Sequence, residues 1–229
     1  GYSGGVSVNI AKITHMLIGG STGSGKSVLL KFVLMQCVKK EAKVYIADFK
    51  GGVDFPPIWH TKCSLLTDEK TLHKVLVSIT DELQSRKQIL RTAGVANIDE
   101  YNRNAEKKLY RIVFACDEIA EVLDKTGLSK QQKDEILKIE SELSIIARQG
   151  RAFGIHLVLA TQRPDAAILN GQIRNNIDTR ICGRADNVLS QIILDNTDAS
   201  DKIAKSSQGR FLTNSGKIFQ AYWFDENIL

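Results

Sequence analysis

Residues 18–28 read IGGSTGSGKSV, with glycines and hydroxyl residues crowded just ahead of a lysine. Gly20-x4-Gly25-Lys26-Ser27 satisfies the phosphate-loop pattern GxxxxGK(S/T). A Gly/Ser linker has a similar composition, but a linker does not join an apolar strand to an apolar helix. Here HMLIGG reads as a strand entering the loop, and residues 27–40, SVLLKFVLMQCVKK, read as the helix leaving it. In that setting glycines let backbone N–H groups turn inward on phosphate oxygens, and the positive end of the helix faces the same charges. Gly20, Ser21, Thr22, Gly23, Ser24, Gly25, Lys26, Ser27 and Val28 are therefore the candidate nucleotide-binding residues. Lys26 would reach the β- and γ-phosphates of ATP, and the Ser27 hydroxyl would bind Mg²⁺.

Working outward, short apolar runs alternate with helical patterns. KVYIAD (43–48), RIVFACDE (111–118), IHLVLATQ (155–162) and TRICG (179–183) read as strands. Leu72, Val75, Leu76, Ile79 and Leu83 mark one amphipathic helix, and Ile136, Ile139, Leu143 and Ile146 another. GRFLTNSGKIFQAYWF reads as a C-terminal β-hairpin turning at NSG. Residues 91–108 and 124–134 are polar and read as loops or solvated segments. Such alternation predicts an α/β fold: a mostly parallel β-sheet covered by helices on both faces. Ligands in such sheets bind beyond the carboxyl ends of the strands. STGSGKS, DFKGG, DEIAE and TQRPD all follow apolar runs, so they gather along one edge.

The chain has 229 residues, 43% hydrophobic and 25% charged, which fits one domain with a sizeable core. No apolar run is long enough to cross a membrane as a helix, and GYSGGVSVNIAK lacks the apolar core of a secretory signal. The abrupt start and end read as a segment of a longer protein. Cys37, Cys63, Cys116 and Cys182 are scattered without a CxxC pair, as in a reduced, cytosolic chain. His60 and Cys63 alone do not make a metal site. A net charge of +5 leans towards an anionic partner without establishing one.

Three further motifs carry chemistry. In RIVFACDE an acidic pair ends an apolar strand. Asp117 would hold Mg²⁺ through water beside Ser27, and Glu118 would act as general base on the attacking water. Such a pair can also be a helix N-terminal cap, but the upstream phosphate loop favours ATP hydrolysis. Gln162, at the end of IHLVLATQ, can hydrogen-bond a γ-phosphate oxygen and the attacking water and so report nucleotide state. In 147-ARQGRAFG-154, Arg151 is the first choice and Arg148 the second for an arginine that completes a neighbouring subunit's site in a ring ATPase.

These motifs, in this order and spacing, resemble the FtsK/SpoIIIE family of DNA translocase motors. The resemblance is carried by GSTGSGKSV, IVFACDEIAEVL, GRAFGIHLVLATQRPD and IRNNIDTRI, with SQIILD and SQGRFLTNSGK extending it. It spans residues 8 to 225. It implies a RecA-like P-loop core forming one motor domain over residues 1–229, and homo-hexameric rings with ATP and Mg²⁺ at subunit boundaries. It further implies double-stranded DNA in the pore, and a full-length protein anchored at the cytoplasmic face of the membrane beside a channel or secretion apparatus. Pore loops would follow the TQRP strand, making Arg174 a candidate DNA contact.

The sequence departs from the family in places. DFKGGVDF (48–55) stands where these motors often carry a DPK-type stretch and looks more like type VII secretion ATPases. Gln191 replaces an arginine before ILD, and Arg210 an acidic residue. These differences point to a divergent branch, such as a plasmid or conjugative element. The leading expectation is an ATPase that pumps DNA, in chromosome segregation or conjugative transfer. The alternative is a type VII secretion ATPase moving protein, and a third class is a regulatory nucleotide-binding module without turnover.

Overall fold

The computed structural model describes residues 6–50, 53–163, 169 and 171–229. In chain order the elements are β1 (Met16–Gly19), α1 (Lys26–Lys39), β2 (Lys43–Ala47), α2 (Pro57–Lys62), β3 (Ser64–Leu66), α3 (Glu69–Ala93), α4 (Ile98–Asn104), β4 (Ile112–Cys116), α5 (Ile119–Leu123) and α6 (Lys130–Gln149). They continue as β5 (Ile155–Thr161), α7 (Gly171–Arg174), β6 (Thr179–Cys182), α8 (Asn187–Leu194), α9 (Asp198–Lys202), β7 (Arg210–Thr213) and β8 (Ile218–Gln220).

The strands form one sheet in the order β3-β2-β4-β5-β1-β6-β7-β8. Pairing is parallel from β3 through β6 and antiparallel across β6-β7 and β7-β8. Every residue of β1, β4 and β5 is buried, which is why these strands read as continuous apolar runs. The pleat sends alternate residues to two cores. Leu17, Phe114 and Leu157 pack with α3, α5, α6 and α8; Met16, Val113 and Val158 pack with α1 and α2. This is the expected α/β sheet with helices on both faces and a C-terminal hairpin.

Two polar stretches expected as loops contain helix. Within 91–108, α3 continues to Ala93 and stops at Gly94, whose φ of +66° closes its carbonyl end. The stretch then forms α4, where Asn97 accepts a hydrogen bond from the Glu100 N–H. Within 124–134, α6 begins at Lys130 behind a capping box of Ser129 and Gln132. Both stretches are polar because they are exposed, while local side-chain caps fix their backbone.

His15 and His156 are buried at the entrances to β1 and β5. Leu157 N–H donates to His15 Nδ1 at 2.9 Å, so Nε2 carries the proton and donates to Ala147 O, also at 2.9 Å. Arg111 Nη1 donates to His156 Nε2 at 3.1 Å, leaving Nδ1–H for Thr14 O. Both rings are thus neutral, with their tautomers set by their partners. Burial pushes each pKa down to about 4.

Candidate active site

The phosphate-loop sequence forms a tight arch at the carboxyl end of β1. Gly25 caps α1 at φ +92°, a left-handed conformation that favours glycine. A side chain there would also collide, because its Cβ would lie 3.0 Å from the backbone of Gly209. No side chain caps α1, and its first turn holds no acidic residue. The Ser24 hydroxyl is buried with no hydrogen-bond partner. A positive helix end, an orphaned buried hydroxyl and a glycine-lined arch together fit a phosphate group.

Lys26 and Ser27 leave the first turn of α1 towards the end of β4. Lys26 Nζ donates to Asp117 O at 2.7 Å and to Asp117 Oδ1 at 3.0 Å. Ser27 Oγ donates to the same Oδ1 at 3.0 Å. A second lysine, Lys50 of the DFKGG stretch, reaches Asp117 Oδ2 at 3.1 Å. Burial opposes ionisation of Asp117, but the two ammonium groups outweigh it and hold the carboxyl below its ordinary pKa. Asp117 is therefore an anion beside a serine hydroxyl, a donor pair that suits Mg²⁺.

Glu118 is fastened from β5. Thr161 Oγ1 donates to Glu118 Oε1 at 2.6 Å, and Gln162 N–H donates to Oε2 at 2.9 Å. Gln162 also faces the loop, accepting from Thr22 Oγ1 at 3.0 Å. β5 lies between β1 and β4, so its last residues touch the phosphate loop on one side and the acidic pair on the other.

The structure thus gathers Gly20–Val28, Asp117, Glu118 and Gln162. Arg151 lies elsewhere, in a short 3-10 turn before β5, where its guanidinium donates to Lys12 O at 3.1 Å. β5 spans seven residues, about 20 Å of strand, so Arg151 sits at the opposite edge of the sheet from its own phosphate loop. Arg148 is exposed on the last turn of α6. Arg174 pairs with Asp195, which also takes Arg180 at 2.5 Å. Of the segment after TQRP that would carry pore loops, residues 164–168 and 170 lie outside the described residues.

Three site residues escaped the sequence reading: Lys50, Thr161 and Arg184. Arg184 donates to Thr22 O, to Ser21 Oγ at 3.3 Å and to Lys205 O at 2.8 Å, bracing the arch from the β6 side. Nothing local in GRAD signals this; the parallel pairing of β1 with β6 creates it.

The sequence model of the FtsK/SpoIIIE family matches residues 5–139. The chain belongs to the FtsK/SpoIIIE family. Among curated FtsK/SpoIIIE relatives, it is 32% identical over 205 residues to the DNA translocase FtsK of Chlamydia pneumoniae, a match to 84% of this chain and 25% of that protein. It is 33% identical over 225 residues to the DNA translocase SftA of Bacillus subtilis, a match to 93% of this chain and 23% of that protein. The chain therefore spans about a quarter of the length of these relatives. Among solved structures, the pCW3 conjugation coupling protein TcpA, in a monomer form with ATPγS, superposes with a TM-score of 0.93 at 40% identity over 99% of this chain and 65% of that one. The EssC ATPases 2 and 3 of Geobacillus thermodenitrificans share the fold, with a TM-score of 0.75 at 23% identity over 94% of this chain and 41% of that one.

Proposed function

We propose that this domain is the ATP-hydrolysing motor of a ring translocase that moves double-stranded DNA. The observation that carries the reading is the clustering at one sheet edge of the phosphate loop, Asp117 and a doubly held Glu118, in a chain similar to DNA translocases and to a conjugation coupling protein.

Ser27 and Asp117 would hold Mg²⁺, and the arch from Gly20 to Val28 would hold ATP. Bound there, Mg²⁺ would neutralise phosphate charge. Lys26, 6% exposed, adds a fixed positive charge where negative charge develops. Glu118 takes the proton of the attacking water; each of its oxygens keeps an acceptor site beyond the bond it already makes. Thr161 and Gln162 N–H hold that carboxylate in one orientation. Gln162, bonded to Thr22 and Glu118 together, would register what fills the arch.

Arg151, and secondarily Arg148, would act on a neighbouring subunit in a homo-hexamer, since the sheet separates Arg151 from its own loop. Basic side chains in the pore would contact DNA phosphates without reading bases. Arg174, held by Asp195, would have to exchange that partner to join them. No helix among the described residues is long and apolar enough to cross a membrane. The full-length protein would be anchored at the cytoplasmic face of the membrane beside a channel or secretion apparatus.

The test is the ATPase rate, in a form able to make rings, with and without linear duplex DNA across a salt series. Stimulation that fades with salt is the expected result. A rate indifferent to DNA would overturn the DNA reading and move weight to protein export, for which DFKGG is the sequence signal.

A further inference from the structure

α3 buries one stripe along its length. Leu72, Leu76, Ile79, Leu83, Arg86 and Leu90 are all buried, at spacings that alternate four and three residues. An arginine thus stands where the stripe calls for another apolar side chain. Taking a guanidinium out of water is costly unless its donors are satisfied. Nε donates to Glu82 Oε1, one turn earlier, at 2.8 Å. Nη1 donates to Phe153 O at 2.7 Å. The guanidinium carbon lies over the Tyr110 ring, 5.3 Å from its centre. Nη2 is buried without a hydrogen-bond partner. An apolar residue at this position would leave no such donor unmet.

What this cation grips is the turn that carries Arg151. The turn spans Arg151–Phe153. Phe153 N–H closes it on Gly150 O at 3.0 Å, and Gly154 follows at φ +70°. One residue along α3, Lys87 Nζ donates to Gln149 Oε1 at 2.5 Å. α3 therefore holds the chain two residues before Arg151 and two residues after it, and Arg151 stands exposed between the two holds.

We infer that Arg86 is a positioning residue for Arg151. The inference rests on the reading of Arg151 as the arginine that acts on a neighbouring subunit. A guanidinium presents its donors in a rigid, planar fork. With one prong on Glu82 and another on Phe153 O, the fork sets the distance and pitch of the turn relative to α3. An apolar side chain would fill the space but leave the turn freer to slide, because apolar packing is non-directional. Arg151 leaves the turn on a long side chain, so a small tilt of the turn becomes a larger displacement at its guanidinium. Arg86 would touch neither nucleotide nor neighbour; it acts through the backbone at Phe153.

The test uses full-length, ring-forming protein. Arg86→Met keeps a long side chain and removes the fork. It should lower kcat about tenfold or more, the scale of loss that a misplacement of about 1 Å can cause. Calorimetric ATP affinity should stay within about twofold. Mixing Arg86→Met with Lys26→Ala subunits should restore activity, because the second subunit lends a well-placed Arg151 to the intact loop of the first. A fault in the variant's own loop would not be repaired by a neighbour. Arg86→Lys keeps the buried charge without the fork. It should show the same pattern to a smaller degree, and it carries the test if Arg86→Met does not fold. Normal turnover, a loss of ATP affinity in step with kcat, or no recovery in mixtures where Arg151→Ala recovers would each overturn the inference. If Arg151→Ala itself recovers at no ratio, the reading of Arg151 falls and the role of Arg86 falls with it.

Discussion

Thr161 at the end of β5 donates its hydroxyl to Glu118 at the end of β4, at 2.6 Å, and both side chains are buried. Hydrogen bonds to charged groups contribute about 1.5–3 kcal/mol, and this one fixes which way the carboxylate faces. Thr161→Val removes the donor and keeps the shape. It should lower kcat about tenfold or more with ATP affinity unchanged, and Thr161→Ser should restore the rate. An unchanged kcat would remove Thr161 from the positioning of Glu118.

The two ends of the site should separate on substitution. Lys26→Ala should abolish ATP binding, as read by calorimetry; unchanged affinity would sink the phosphate-loop assignment. Glu118→Gln should still bind ATP but hold it without turnover, measured as retained nucleotide after gel filtration. Normal turnover in Glu118→Gln would reject Glu118 as the base.

Arg151 lies at the far edge of the sheet, so its effect is expected in trans. Arg151→Ala rings should be inactive, and mixing them with Lys26→Ala rings should recover activity at the boundaries that join an intact loop to an intact arginine. Absence of recovery at every mixing ratio would exclude Arg151, and the same experiment with Arg148→Ala would test the second choice.

Stability should fall in mild acid. His15 and His156 have folded-state pKa values of about 4, against 6.5 for an ordinary histidine. Between those values the unfolded chain binds protons that the folded chain refuses. Stability is therefore fully present above about pH 6.5 and is lost as the pH falls towards 4, by up to about 1.4 kcal/mol per pH unit per histidine. The charged neighbours of this pair are Arg111, Asp99 and Asp178. Asp117, its carboxyl held low, titrates below this window. Urea midpoints at pH 7.5, 6 and 5 should decline in step, and His156→Gln, whose carboxamide can still accept from Arg111, should halve the slope. Flat midpoints would contradict the buried neutral pair.

The sequence disclosed features whose signal is local. Gly20-x4-Gly25-Lys26-Ser27 lies between a strand and a helix, and Asp117–Glu118 closes an apolar run, so the place of both at a sheet edge is legible in the sequence alone. The buried strands were legible for the same reason. Lys50, Thr161 and Arg184 were not, because each acquires its role from a strand neighbour distant in sequence. The two helical segments read as loops carried signals that polarity hid: Asn97-x-x-Glu100 and Ser129-x-x-Gln132 are both capping patterns. Arg174 illustrates the converse: the family resemblance makes it a candidate DNA contact, and the fold supplies Asp195 as its partner.

The sheet carries its phosphate arch at one edge and Arg151 at the other, and this makes the molecule polar. In the proposed ring a head meets a tail at every boundary, and no two-fold pairing can satisfy both ends at once. Each boundary would then have one giver and one receiver, and its two faces would differ in the same sense all the way round. Directionality of the assembly would be inherited from the single chain, fixed when β5 was laid between β1 and β4 with its two ends facing opposite ways.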